Sequence, residues 1–247
     1  MVLSEYKTAL VTGASSGIGA ACVRALREKG LDVVALARRE DRLAPLAKET
    51  GCRIMVQDLM DTAAIYTELP SLNADILVNN AGLGRGYDGF LKSTPDEIDQ
   101  MVNLNVSAAF HVVRAVAEGM AERKSGHIVQ IGSIAALYPI GLPVYGGTKG
   151  AIHMFSQHFR IELAGTGVRH TEICPGRIAT EFFDSAFKAE KDRDAFLSGY
   201  SPLQPSDIAA AVLFAVDTPW HVNVSTIELT PTEQAPGGAL IEQARPK

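Results

Sequence analysis

Residues 8–19 read TALVTGASSGIG, and this stretch decides the fold. Thr8–Thr12 is a short apolar and β-branched run with the look of a buried strand. It leads into glycines at 13, 17 and 19, and residues 18–29 then carry helical spacing and stop at Gly30. Gly13 allows a sharp turn out of the strand, Gly17 lets backbone approach a phosphate, and Gly19 lets the helix pack close on the sheet. Around Ser15, Ser16 and Ile18 the helix start offers unpaired N–H groups and a partial positive charge. A glycine-rich stretch on its own says little. Set between a first strand and a first helix, it points to a phosphate-bearing ligand.

Further strand-like runs follow at 33–37, 53–57, 75–79, 127–131, 168–174 and 225–229, and several are nearly continuous in Val, Ile and Leu. Helical stretches alternate with them at 39–49, across 96–123, at 144–164 and at 206–216, the last introduced by Pro205 and Ser206. This alternation implies βαβ units. The expected fold class is α/β: a doubly wound, Rossmann-type parallel sheet of about seven strands with helices on both faces. No linker or repeat interrupts the chain, so residues 1–247 read as one domain. Residues 179–200 break the rhythm and are expected to form a lid over the ligand crevice.

Composition narrows the function. The chain has 247 residues, 47% hydrophobic and 21% charged, which excludes wholesale disorder. A balance of 23 basic against 28 acidic residues argues against nucleic acid as a partner. Cys22, Cys52 and Cys174 show no metal-ligand spacing and read as core thiols, so no metal is expected. The N-terminus has no signal pattern and no apolar run approaches a membrane span, so a soluble cytoplasmic protein without membrane contact is expected.

The glycine spacing is Gly-x3-Gly-x-Gly rather than Gly-x-Gly-x2-Gly, and here the chain resembles a family. TGASSGIG, Asn79-Asn80-Ala81-Gly82, Asn105, Ser133, Tyr145-Gly-Gly-Thr-Lys149 and Pro175-Gly176 with Thr180 occur in order and at the spacing of the short-chain dehydrogenases/reductases. The resemblance spans essentially the whole chain. It implies an oxidoreductase of alcohols and carbonyls with Ser133, Tyr145, Lys149 and Asn105 as catalytic residues. In that family Tyr145 would exchange a proton with the substrate oxygen and Ser133 would polarise that oxygen. Lys149 would tune Tyr145 and bind the nicotinamide ribose, and Asn105 would hold a proton-relaying water. Tyr145 and Lys149 stand i and i+4 on one helical face. A nearby ammonium is expected to lower the phenol's ordinary pKa of about 10. Gly146-Gly147 departs from the family's usual small pair and loosens the helix start, without touching the reacting groups.

The second strand ends Leu36-Ala37-Arg38-Arg39, with no carboxylate to hold a ribose diol. Two guanidiniums there can grip a 2′-phosphate, which predicts NADP(H). The resemblance further implies cofactor contacts from Gly13, Ser15, Ser16, Gly17, Ile18 and Gly19, and from Asp58 and Leu59 at the adenine. It adds Asn80, Ala81 and Gly82 along the adenosine, and Pro175, Gly176, Ile178 and Thr180 along the nicotinamide. Within the family, the early ARREDRL, the Tyr145–Lys149 motif and the C-terminal HVNVSTIELTPTEQ resemble the NADP-dependent 3-hydroxy acid (serine-type) dehydrogenases, sulfoacetaldehyde reductases and clavulanate-type aldehyde reductases. That implies a small polar aldehyde or ketone, with residues 134–142, Arg177 and the lid around it and Arg177 or Arg85 as cations for an acidic group. A bulkier biosynthetic carbonyl and a non-catalytic dinucleotide-sensing protein are the alternatives. The family also implies a homodimer or homotetramer.

Overall fold

The computed structural model describes residues 3–87, 89–182, 190–191, 194 and 198–235. Strands are β1 (Thr8–Thr12), β2 (Asp32–Ala37), β3 (Arg53–Val56), β4 (Ile76–Asn79), β5 (Gly126–Ile131), β6 (Val168–Pro175) and β7 (Thr226–Leu229). Helices are α1 (Gly17–Glu28), α2 (Glu40–Thr50), α3 (Thr62–Glu68), α4 (Pro95–Val102), α5 (Ala109–Glu122), α6 (Pro143–Glu162) and α7 (Pro205–Val216). The strands form one sheet in the order β3-β2-β1-β4-β5-β6-β7, and every pairing is parallel. The chain leaves β1 in one direction and returns beside it as β4. That reversal opens a crevice at the carboxyl ends of β1 and β4.

Strand alternation sorts the core into two layers. Ala9, Val11, Val33, Ala35, Ile76 and Val78 point to the side covered by Val23 and Leu26 of α1 and Ile208 and Val212 of α7. Leu10, Val34, Leu36, Leu77 and Ile128 point to the other side, under Ile65 of α3 and Val112, Val116 and Met120 of α5. Each fully buried Leu or Ile contributes about 1.5–3 kcal/mol by leaving water. β3 departs from the buried pattern expected of it: Ile54 and Val56 are exposed because β3 is the sheet's edge and lacks a covering helix on one side.

Helix ends are written locally. Thr94 and Glu97 close a reciprocal capping box at α4, with Pro95 in the first turn. α7 starts at Pro205, where Gln204 and Asp207 cap each other. α3 was not foreseen from sequence, because its seven residues bury only Ile65. The long segment 96–123 is interrupted by a π-helical turn at Asn103–Ala108, a device that often marks functional ground. Buried Arg169 on β6 ties the sheet to α7, donating to the carbonyls of Val216, Thr218 and Val222. A cation there complements the helix's C-terminal end.

Most of the segment read as a lid lies outside the described residues. Its stem is described: Ala179 N–H donates to Leu203 O and Leu203 N–H donates to Arg177 O, so the excursion leaves and returns at one point beside the crevice. None of the described helices is long and apolar enough to cross a membrane.

Candidate active site

The crevice holds a cavity of about 870 Å³. Its floor is the turn after β1. Gly13 has a φ of +64° and sits against Ala81, where a side chain would lie 2.9 Å from backbone. A Cβ on Gly19 would overlap the Gly13 carbonyl oxygen, so Gly19 lies under the turn rather than in the cavity wall. Ser16 caps α1 without a side-chain bond to it, so the first N–H groups of that helix stay open toward the cavity. Thr12 Oγ1 accepts from the N–H groups of Asn80 and Ala81, both at 3.0 Å. Asn80 Nδ2 donates back to Thr12 O at 2.9 Å. These bonds lock the loops after β1 and β4 to each other.

At one end of the cavity stand Arg38 and Arg39. The Arg39 guanidinium donates to Ser15 Oγ at 2.9 Å and to Ser16 Oγ at 3.0 Å. Arg38 lies 3.6 Å from Asp58, and Glu181 lies 3.9 Å from Arg39 and 3.3 Å from Arg42. All of these groups are about half exposed, so the ion pairs hold them loosely. The end of β2 is thus a cationic patch with hydroxyls beneath it, suited to a phosphate monoester. Asp58 and Leu59 line the wall beside it.

At the other end Ser133, Tyr145 and Lys149 converge, all buried. Ser133 follows β5 and starts a short 3₁₀ turn; its Oγ accepts from Ala135 N–H at 3.1 Å. That leaves the hydroxyl hydrogen for Tyr145, which is bonded to Ser133. Lys149 Nζ donates to Ile131 O at 2.9 Å and lies 6.0 Å from the Tyr145 ring centre. The expected lowering of the tyrosine is reversed in this state. Burial pushes the Tyr145 phenol up to about 12, the Ser133 bond opposing it. Burial likewise pulls Lys149 down to about 8. The ammonium is turned to a backbone carbonyl, and desolvation dominates the phenol.

Asn105 falls inside the π turn, yet its side chain is a strut. Oδ1 accepts from Leu83 N–H at 2.8 Å, while Nδ2 donates to Leu83 O at 2.8 Å and Thr148 Oγ1 at 3.2 Å. It fixes the loop after β4 to α6.

Between the two ends the cavity is lined by Gly82, Pro175, Gly176, Ile178 and Thr180, and over Tyr145 by Ile134, Ile140, Leu142, Arg85 and Arg177. Phe182 packs on Tyr145 with ring centres 5.6 Å apart. Arg177 stacks over Tyr200 at 5.3 Å, and its N–H donates to Gln234 Oε1 at 2.9 Å. Phe182 lines the cavity from the start of the segment read as a lid, as expected, whereas sequence reasoning missed Gln57, Tyr87 and Gln234 as lining residues. They stand on loops or strand ends that no periodic pattern marks.

Comparison with known proteins agrees with this geometry. The family described as short chain dehydrogenase matches residues 7–191. An NADP-dependent 3-hydroxy acid dehydrogenase, YdfG of Escherichia coli (strain K12), is 38% identical over 244 residues, covering 95% of this chain and 98% of the relative. An uncharacterized short-chain type dehydrogenase/reductase, y4eK of Sinorhizobium fredii, is 37% identical over 242 residues and covers 98% of both chains. Among solved structures, the closed form of a serine dehydrogenase complexed with NADP+ superposes with a TM-score of 0.89 at 38% identity, covering 92% of this chain and 96% of that one. A short-chain dehydrogenase from Sphingobium yanoikuyae in complex with NADPH gives a TM-score of 0.79 at 30% identity, over 90% and 87% of the two chains. With the parallel sheet, the glycine turn and the Ser–Tyr–Lys cluster in place, the chain belongs to the short-chain dehydrogenase/reductase family.

Proposed function

We propose that the protein is an NADP(H)-dependent oxidoreductase that interconverts a small polar aldehyde or ketone, bearing an acidic group, and its alcohol. The carrying observation is the spacing of one cavity: Arg38 and Arg39 bound one end, and Ser133, Tyr145 and Lys149 the other. The residues fit a dinucleotide phosphate. The glycine turn removes side chains from the floor, the open N–H groups of α1 suit a pyrophosphate, and the arginine patch suits a 2′-phosphate. Relatives named as NADP-dependent or solved with NADP+ and NADPH support the same reading.

The cofactor, when bound, supplies two electrons as hydride to the carbonyl carbon. Tyr145 gives its hydroxyl proton to the carbonyl oxygen, completing the alcohol, and takes it back in the oxidative direction. General acid catalysis of this kind contributes about 10²–10⁴-fold. Ser133 donates a hydrogen bond to the same oxygen as charge develops on it. Lys149, one helical turn from Tyr145, would hold the cofactor's ribose, and its positive charge would favour the phenolate. Arg177 and Arg85 frame the substrate end, where a carboxylate or sulfonate would meet their charge.

The test compares an acidic with a neutral aldehyde in Arg177→Met. A raised KM confined to the acidic substrate supports the reading, and equal effects on both refute the anionic class. Exposed Met154 and Ile161 on α6, with the apolar stack of Phe110, Phe155 and Phe159, support a homo-oligomer packed through the long helices.

A further inference from the structure

Residues 180–182 run along the cavity from the glycine turn to Tyr145, and they bring a carboxylate to the arginine patch. Thr180 lies on the turn: Gly17 has a φ of +52°, and a Cβ there would lie 3.2 Å from Thr180 Cγ2. Phe182 packs on Tyr145 and takes the space that Gly84 leaves, where a Cβ would meet its Cζ at 2.6 Å. Glu181 stands between these two anchors, so the fold and not chance rotation brings it to the cavity wall. Its neighbours there are cations. Oε1 accepts from Arg42 Nη1 at 3.3 Å, and Oε2 lies 3.9 Å from Arg39 Nη1.

The edge of Arg39 that Glu181 faces is the one a ligand needs. Nε donates to Ser15 Oγ, and Nη2 donates to the hydroxyls of Ser15 and Ser16. Nη1 is the remaining nitrogen, and it faces Glu181. Arg42, in the first turn of α2, brings a second guanidinium to the same carboxylate. Two guanidiniums converging on one anion is an arrangement that recognises a phosphate monoester. Asp58, the other acid at this end, pairs with Arg38 instead, at 3.6 Å. A phosphate that comes to Arg39 and Arg42 must displace Glu181 or sit beside it, and like charge makes either costly. A ribose with a free 2′-hydroxyl brings no charge and leaves both pairs intact.

We propose that Glu181 is a specificity-determining residue: its carboxylate competes with the cofactor's 2′-phosphate for Arg39 and Arg42. The proposal rests on the reading of the arginine patch as the 2′-phosphate end. The arginines set the preference for NADPH over NADH, and Glu181 holds that preference below what they would give alone. Glu181, Arg39 and Arg42 are all about half exposed, so water screens the competition. Pairs this exposed change an affinity by about two- to fivefold.

The test removes the charge and keeps the shape, with Glu181→Gln in the full chain. Binding of NADPH and of NADH is read by fluorescence titration without any carbonyl, at one low ionic strength, because salt screens exposed charges. The Kd for NADPH is expected to fall about two- to fivefold, while that for NADH stays within about 1.5-fold of the parent. Glu49→Gln removes the same charge at the far end of α2, where Glu49 pairs with Arg24, and should leave both values near the parent's. An unchanged Kd for NADPH in Glu181→Gln, equal tightening of both cofactors, or the same gain in Glu49→Gln overturns the proposal. The Glu181 side chain is exposed and holds no core contact, so the neutral variant folds as the parent does, which its melting temperature checks. Failure of the patch reading shows separately, as equal affinities for NADPH and NADH in the parent chain, and takes the proposal with it.

Discussion

Arg39→Met removes a guanidinium and keeps an unbranched apolar stem. In the structure this guanidinium makes three contacts under 3.3 Å with the hydroxyls of Ser15 and Ser16, so it is held over the floor of the cofactor cavity. A hydrogen bond to a charged group contributes about 1.5–3 kcal/mol. The side chain is 47% exposed, which favours the lower half of that range through solvent screening. About 1.5–2 kcal/mol corresponds to a roughly 10–30-fold loss. The expected outcome is a fall of that size in kcat/KM for NADPH, mostly through KM, with NADH changed by less than about threefold. Initial rates of nicotinamide absorbance change, with each cofactor varied at saturating carbonyl, measure it. Equal losses with both cofactors would show that Arg39 supports the turn and does not read the 2′-phosphate.

Other consequences are as direct. Arg38→Asp places a carboxylate at the end of β2, and the ratio of kcat/KM for NADPH over NADH should fall; an unchanged ratio contradicts the assignment of this patch. Tyr145→Phe should lower kcat by about 10²–10⁴-fold while NADPH affinity, read by fluorescence titration, stays near that of the parent. Gly19→Ala forces a methyl against the Gly13 carbonyl and should cost about 1–3 kcal/mol, a melting temperature lower by roughly 3–10 °C in calorimetry. His170 is buried with neither ring nitrogen hydrogen-bonded, and burial pulls it down to about 3. Its unfolded value lies near 6.5, so below that pH the unfolded state binds the extra proton and stability falls with decreasing pH down to about 3. His170→Leu should flatten the loss of unfolding free energy between about pH 6.5 and 5, read by denaturant titration, by up to about 1.4 kcal/mol per pH unit; parallel curves would assign the acid sensitivity elsewhere.

The fold was legible because a parallel sheet buried on both faces leaves continuous apolar runs, and β1, β2, β4, β5 and β6 follow those runs to within a residue. The cofactor end was legible for a related reason. Gly13, Gly17 and Gly19 are demanded by backbone geometry, and Arg38 and Arg39 by charge, so their spacing is written into a short local stretch. What escaped reading depends on contacts between distant segments. Glu172 and His153 are 19 residues apart, and nothing in VRHTEIC marks the glutamate as the partner of a histidine on α6. Cys174 read as an ordinary core thiol, yet its sulfur lies within 4.8 Å of His153 and Glu172 side-chain atoms. The effect of burial on Tyr145 also escaped, because i and i+4 spacing gives the shared face but not where the ammonium points. The substrate end was least legible: Tyr87 and Gln234 come from separate loops and meet only in the folded chain.

The central claim is carbonyl reduction by NADPH at Tyr145 with an acidic small substrate. The most direct measurement follows NADPH and then NADH oxidation by the full chain with malonate semialdehyde, sulfoacetaldehyde, a bulky β-lactam-type aldehyde and a neutral aldehyde, alongside Tyr145→Phe. The account predicts fast NADPH oxidation with an acidic small aldehyde, slower oxidation of NADH, and loss of turnover in Tyr145→Phe. Preference for NADH, or turnover retained in Tyr145→Phe, would contradict it.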